Sequence, residues 1–348
     1  FRTHYDYDNN LYIVAGEIIH RVSGLTWEEF IEQRIMKPLG FDKSTASYNR
    51  IKNNKNCIDP HAPVNGKVEA LVHDWSETAN AAGGIQSNIT DLSKWVTFLL
   101  NKGELPNGKR LFSEKVLKEV WTPQTIIERA PGNYNTHFGA YGLGWFLSDE
   151  KGYFQATHTG GLLGTVTQIT LIPELKLGII VLTNQQVGAA FNSITNTIKD
   201  SYLGYGNRDW VTKYAANVAK NNDAAKKIVD DINSEIEKAV KSKVVIPANI
   251  YEGTYKDDWF GNIVISKTGN NFAIRSERSP RLVGELLFYK GNTFIVKWYD
   301  RSLDADAFVN FGLDNSGVAD SFKIEAISPA TDFSFDFQDL DFKKNKLN

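Results

Sequence analysis

Apolar residues fall at helical spacing over Leu11 to Val22, where Leu11, Val14, Ala15, Ile18, Ile19 and Val22 recur and Ser23-Gly24 closes the run. The spacing predicts a buried helix. Thr26-Trp27-Glu28-Glu29 has the spacing of a capping box, with Leu25 and Phe30 placed as a staple for a second helix that ends near Pro38-Leu39-Gly40. Residues 41–86 are rich in Asn, Pro, Gly and charge and read mainly as surface loops. Thr90 or Asp91 can cap an amphipathic stripe of Leu92, Trp95, Val96, Leu99 and Leu100, and Ser113 can cap a shorter helix reaching Trp121.

After residue 137 the period becomes two. Tyr141 to Leu147, Tyr153 to Thr159, Gly164 to Ile172 and Leu177 to Thr183 read as consecutive antiparallel strands, and residues 188–204 as a helix packed on them. A break at Gly204-Tyr205-Gly206-Asn207 precedes Trp210 to Lys243, a run of Ala, Lys, Asp and Glu without Pro or Gly, which predicts a helical connector. Short strands then recur at Gly261–Ser266, Phe272–Ser276, Glu285–Tyr289, Thr293–Trp298, Ala307–Leu313, Ser321–Ala326 and Asp332–Phe337, as in a small barrel or sandwich whose aromatic residues form its core. The resulting division is 1–205, a connector over 206–245, and 246–348.

The chain has 348 residues, 42% of them apolar, enough for two well-cored domains. A formal net charge of −2 with no basic run gives no footprint for nucleic acid or an anionic membrane. The longest apolar run, Leu177 to Thr183, is too short to span a bilayer, so no transmembrane segment is expected. The single cysteine, Cys57, cannot form an internal disulfide. The other histidines, His4, His20, His61, His73 and His137, lack ligand spacing; no metal or other cofactor is expected.

Specific motifs go further. Tyr5-Asp6-Tyr7-Asp8-Asn9-Asn10-Leu11-Tyr12, then Ala15-Gly16-Glu17-Ile18-Ile19 and Lys37-Pro38-Leu39-Gly40, and later Ala82-Gly83-Gly84-Ile85, Tyr141-Gly142-Leu143-Gly144-Trp145 and His158-Thr159-Gly160-Gly161, stand in order. This series resembles the class C β-lactamase-like serine hydrolases, which include the penicillin-binding DD-peptidases, over residues 1 to about 205. The resemblance implies an α/β chain of the α+β type: an antiparallel sheet flanked by helices with a helical subdomain, followed here by the small β-domain. Tyr7 and Asn9 fall on the family's Tyr-x-Asn. Tyr7 would be the proton shuttle, Asn9 would orient the lysine of a Ser-x-x-Lys pair and bond the substrate amide, and His158, Thr159, Gly160 and Gly161 would form the substrate strand, the Gly161 N–H serving as an oxyanion donor.

Acyl transfer through serine needs those parts: a base for the hydroxyl proton, an acid for the leaving group and donors for the oxyanion. An ordinary tyrosine, with a pKa of about 10, needs a nearby cation to act near neutrality. His158 stands where many β-lactamases have lysine, which shifts weight toward the peptidases and esterases of the superfamily. Asp8 puts a carboxylate near Tyr7 unless its side chain points away. Simpler roles stand beside these: Asn9 as a helix cap, His158 as a strand-end histidine bonded to backbone, and Gly160-Gly161 as a turn or bulge.

Ser-x-x-Lys puts both side chains on one helix face and in the family precedes Tyr-x-Asn, whereas only six residues precede Tyr7 here. The one such spacing in the chain, Ser148-Asp149-Glu150-Lys151, falls in what reads as a polar turn, and Lys267-Thr268-Gly269 reads as a hairpin turn in the β-domain. The expectation is therefore a chain that lacks its nucleophile and is inactive alone, from a metal-independent hydrolase of a small-molecule or peptide substrate (a D-amino-acid peptide, β-lactam or small ester) in the periplasm or cell envelope. A non-catalytic protein that keeps the cleft to bind ligand or peptidoglycan is the alternative, and a ligand-binding β-domain is a third.

Overall fold

The computed structural model describes residues 2–52, 56–73, 75–128, 132–241, 246–269 and 271–345. Residues Phe1–Ala62 and Val68–Tyr214 form one compact unit, and Pro63–Lys67 with Ala215–Asn348 form the other. The helices are α1 (Asn9–Ser23), α2 (Trp27–Ile31), α3 (Lys37–Leu39), α4 (Asn80–Gly83), α5 (Ile89–Leu100), α6 (Glu114–Val120), α7 (Gly188–Leu203), α8 (Trp210–Lys241) and α9 (Ala248–Tyr251). A π-helical turn joins α2 to α3.

Strands β1 (His61–Val64) and β2 (Lys67–Ala70) make a hairpin, and in the first unit a six-stranded antiparallel sheet runs in sequence order through β3 (Thr125–Ile126), β4 (Gly139–Tyr141), β5 (Phe146–Glu150), β6 (Tyr153–Leu162), β7 (Thr165–Ile172) and β8 (Leu177–Leu182). Alternation along the strands sorts the side chains onto two faces. Leu147, Ala156 and Leu171 pack with Val96 and Leu99 of α5, while Ile172, Ile179 and Val181 pack with Phe191 of α7. Leu147 and Leu171 have no exposed surface, and each such burial contributes about 1.5–3 kcal/mol of transfer free energy. Both faces are thus covered by helices, as expected for this fold class.

Several local expectations are revised. The predicted strand Tyr141 to Leu147 is two strands, because Gly144 takes φ +80° in the tight connection between β4 and β5. The β1–β2 hairpin replaces part of the loop expected over 41–86; Asn65 and Gly66, with φ of 50° and 80°, supply its turn. Helix α5 is capped by Asn88, whose side chain accepts from the N–H groups of Thr90 and Asp91, and neither Thr90 nor Asp91 is the cap. Ser148 lies in β5 with no exposed surface, where it donates to Glu150 and accepts from Gln155, while Lys151 reaches the Leu203 carbonyl. Serine and lysine there are engaged with different partners, so the spacing is no catalytic pair.

Helix α1 is not the buried helix the sequence predicts. Its packed stripe is Tyr12, Ile13, Gly16 and Ile19, while Leu11, Val14, Ile18 and Val22 are exposed. The helix is apolar on more than one face, and Gly16 decides which face packs: a Cβ there would fall 2.5 Å from the Ala81 Cβ of α4 and 3.3 Å from the Trp27 ring of α2.

In the second unit, β9 (Gly253–Asp257), β10 (Gly261–Thr268), β11 (Asn271–Ser276), β12 (Val283–Lys290), β13 (Thr293–Trp298), β14 (Ala307–Leu313), β15 (Ala319–Ala326) and β16 (Phe342–Lys344) close a barrel, with β16 between β15 and β9. Phe272, Phe294, Trp298, Phe322 and Phe342, each at most 1% exposed, fill its interior. The segment expected as a strand over 332–337 instead makes 3-10 turns, because Asp332 accepts from the Ser334 N–H and Asp336 takes φ +51°; closure falls to β16. Trp210 at the head of α8 belongs to the core of the first unit, and Ile232 and Ile236 pack with Ile295 and Ile327 in the second. Among the described residues no helix is long and apolar enough to cross a membrane.

Candidate active site

Tyr7 sits in the extended segment that enters α1. Asp8 is the N-cap: its carboxylate accepts from the Asn10 N–H at 2.7 Å. That bond satisfies a free N–H of the first turn and occupies the Asp8 carboxylate, and Asp8 is not among the groups that shift the Tyr7 pKa. Asn9 is therefore not the cap; it is the first residue of the helix and is exposed.

The helix start brings Tyr7 against β6. The Tyr7 and His158 rings lie 6.2 Å apart, although 151 positions separate them (158 − 7), and Tyr12, one turn into α1, lies 6.0 Å from Tyr7. Tyr5, Tyr141 and Phe146 complete an aromatic cluster, with Tyr5 5.2 Å from Tyr141 and Phe146 5.8 Å from His158. Within it runs a chain of hydrogen bonds: the Tyr12 and Tyr141 hydroxyls are 2.9 Å apart, and the Tyr141 hydroxyl is 3.0 Å from His158 Nε2. On the other side of the ring, Nδ1 lies 2.6 Å from the Thr159 carbonyl oxygen.

These bonds set the protons. A carbonyl only accepts, so His158 Nδ1 carries the hydrogen that faces Thr159. Burial holds the His158 pKa below its ordinary value, against a smaller upward pull from the Thr159 carbonyl, so the ring is neutral at pH 7 and Nε2 accepts from Tyr141. Having donated to His158, Tyr141 must accept from Tyr12. Burial, followed by the electrostatic effect of Tyr12, raises the Tyr7 pKa; burial raises that of Tyr141; burial pushes Tyr5 up to about 12. All three phenols are protonated near neutrality.

Strand β6 contributes an open edge. Its pairing with β5 ends at Thr157, whereas its pairing with β7 continues to Leu162 opposite Thr165. His158 thus lies within the strand and does not end it, and Thr159, Gly160 and Gly161 are strand residues, not a turn. The two-residue connection makes Leu162 and Thr165 a hydrogen-bonded pair, so the alternation of antiparallel pairing directs the N–H and C=O of Gly161 and Thr159 away from β7. Val166, opposite Gly161, agrees: its carbonyl accepts from the Thr183 N–H beyond the far side of β7. Thr159, Gly160 and Gly161 are all exposed, and a Cβ on Gly161 would meet nothing within 4 Å. The arrangement places a backbone donor at that edge, beside the cluster of phenols.

The sequence singled out Tyr7, Asn9, His158 and the three residues after it. Tyr12 and Tyr141 were present in the quoted motifs but had no role assigned, because nothing in a separation of 129 positions announces that two hydroxyls meet.

Comparison with known proteins gives the chain its place. The Beta-lactamase family matches residues 1–203, and a domain of unknown function (DUF3471) matches residues 238–344. The chain is 27% identical over 282 residues to the unguisins hydrolase ungD of Aspergillus violaceofuscus, covering 75% of this chain and 49% of that protein. It is 21% identical over 202 residues to the D-alanyl-D-alanine-carboxypeptidase/endopeptidase AmpH of Escherichia coli K12, covering 56% of this chain and 49% of that one. The chain thus spans about half the length of the curated relatives it matches. The octameric penicillin-binding protein homologue from Pyrococcus abyssi shares the fold, with a TM-score of 0.52 and 18% identity over 99% of this chain and 66% of that one. With its match running over residues 1–203 of 348, more than half its length, this chain belongs to the β-lactamase family.

Proposed function

We propose that the protein hydrolyses an amide or ester through an acyl-serine, and that residues 1–205 carry the part of the site that moves protons and holds the oxyanion. The observation that carries this reading is the convergence of Tyr7, His158 and the open edge at Gly161 on one end of the sheet. Tyr7 passes the proton between nucleophile and leaving group, Asn9 contacts the amide side of the substrate, and the Gly161 N–H donates to the oxyanion, with Thr159 and Gly160 shaping the strand beside it. Because burial raises the Tyr7 pKa, the reading needs a cation beside its hydroxyl before it can act as a base near neutrality. The lysine of a Ser-x-x-Lys pair would supply it, and the only such spacing within residues 1–348, Ser148 to Lys151, is excluded by its geometry.

D-amino-acid peptides, β-lactams and small esters are the candidate substrates. The first is favoured by the name of one relative, a D-alanyl-D-alanine-carboxypeptidase/endopeptidase. A cell-envelope location accompanies that choice.

Four measurements test this function. In the coding sequence upstream of Phe1, a Ser-x-x-Lys on a helical pattern is expected. In the protein carrying that pair, Tyr7→Phe is expected to lower kcat/KM on a D-alanyl-D-alanine peptide by about 100-fold or more. The 348-residue chain alone is expected to leave nitrocefin intact. A stable acyl adduct on any serine of this chain, seen by mass spectrometry, overturns the assignment of the nucleophile.

A further inference from the structure

Three elements meet in the hydrogen-bonded chain from Tyr12 to His158. Tyr12 is on α1, whose N-terminal lead-in presents Tyr7; Tyr141 ends β4; and His158 lies on β6, three residues before the open N–H of Gly161. Helix α1 and the sheet are joined here by polar contacts of 2.9 and 3.0 Å. Both nitrogens of His158 are used inside the protein, Nε2 by Tyr141 and Nδ1 by the Thr159 carbonyl. The ring therefore has no nitrogen left over for substrate in this arrangement.

We propose that Tyr141, held by Tyr12, is a positioning residue: its hydroxyl fixes the His158 ring, and through it ties the α1 lead-in that carries Tyr7 to the edge of β6 that carries Gly161. This rests on the hydrolase reading above, since what it positions is the acyl-transfer cleft. Tyr12→Tyr141→His158→Thr159 is a single line of donors, each hydroxyl or ring N–H giving its hydrogen to the next acceptor. Reversing it would put a second hydrogen on the ring and leave a cation in a setting that disfavours one. Direction and geometry are therefore fixed together. Packing reinforces the line, with the Tyr141 ring 4.8 Å from Phe146 and 5.2 Å from Tyr5.

The test has one arm without turnover and one with it. In the 348-residue chain labelled with 15N-histidine, His158 is expected to show a protonated Nδ1 and an Nε2 resonance displaced by an accepted hydrogen bond. Tyr141→Phe should move Nε2 to the position of a free acceptor and leave Nδ1 protonated. An unchanged Nε2 resonance overturns the relay. In the protein carrying the Ser-x-x-Lys pair, Tyr141→Phe is expected to lower kcat about tenfold with KM within about twofold, and Tyr12→Phe should add little to a Tyr141→Phe background, because members of one network do not act independently. An unchanged kcat, or losses that multiply in the double variant, overturns the positioning role. The resonance arm does not depend on activity, so an inactive protein whose Nε2 responds as described refutes the hydrolase reading and leaves the relay standing. Tyr141→Phe removes one oxygen from a packed ring, and Tyr12→Phe serves as the second single variant should the first fold poorly.

Discussion

Asp91 has no exposed side-chain surface and still carries a charge. Burial by itself would raise its pKa. The Ser44 hydroxyl at 2.7 Å, the Lys43 N–H at 3.0 Å, the Lys94 ammonium at 3.1 Å and the Asp42 N–H outweigh burial and bring it to about 2. A carboxyl whose folded pKa lies below its ordinary 3.8 adds stability above that value, and the contribution is lost as pH falls from about 4 through 2. Asp91→Asn is expected to cost about 1–3 kcal/mol at pH 7, since it breaks up a buried set of bonds. The deficit relative to the unsubstituted chain should shrink as both are titrated from pH 4 to 2 in urea denaturation. An equal deficit at pH 7 and pH 2.5 would refute the role of the charge. The sequence marked Asp91 as a possible cap of α5, a role that Asn88 takes instead. Its real partners, Ser44 and Lys43, stand 47 and 48 positions earlier in a segment read as loop, and one-dimensional spacing does not encode such a pairing. His158 differs, because its motif was legible even though its partners Tyr141 and Tyr12 were not.

At the scale of elements, period and capping chemistry carried well wherever one face clearly dominated. The box at Thr26 and Glu29 forms as its spacing requires, Ser113 caps α6, and the alternation over β6 to β8 gives an antiparallel sheet. They failed where the pattern was ambiguous or the signal lay in a turn. Helix α1 has apolar residues on two stripes, and the choice between them rests on close approach at Gly16, not on hydrophobicity. Gly16→Ala is accordingly expected to destabilise the chain by about 1–3 kcal/mol, despite alanine's higher helix propensity, because a methyl 2.5 Å from the Ala81 Cβ forces the helices apart. Equilibrium denaturation followed by far-UV circular dichroism checks it, and a more stable variant would show that propensity outweighs the clash. The barrel's last strand escaped notice for a related reason: β16 has three residues, too few for a period of two to declare itself.

Among the described residues, the six-stranded sheet with its helices and the barrel each hold buried apolar clusters of their own, the barrel's made largely of aromatic side chains. Phe342 is buried against Phe322, with ring centroids 4.5 Å apart, on the strand that closes the barrel. Phe342→Ala should cost about 3–5 kcal/mol, read in calorimetry as one transition moving down while the other stays in place. A single transition that moves as a whole would mean that the two cores melt together. Most of this plan was visible in the chain as a change of period near residue 137 and again after the long helical run, since burial in sheets and helices leaves a periodic trace. Closure of a barrel and the meeting of distant hydroxyls leave none. The exposed stripe of α1 has a consequence in solution. Leu11, Val14, Ile18 and Val22 are 65, 51, 56 and 83% exposed on a chain whose formal net charge is −2. Molecules so nearly neutral repel one another weakly, and a sticky ridge along one helix then governs their encounters. Adhesion between such ridges is expected to limit how far this chain can be concentrated, and Val22→Glu is expected to raise the concentration at which light scattering sets in.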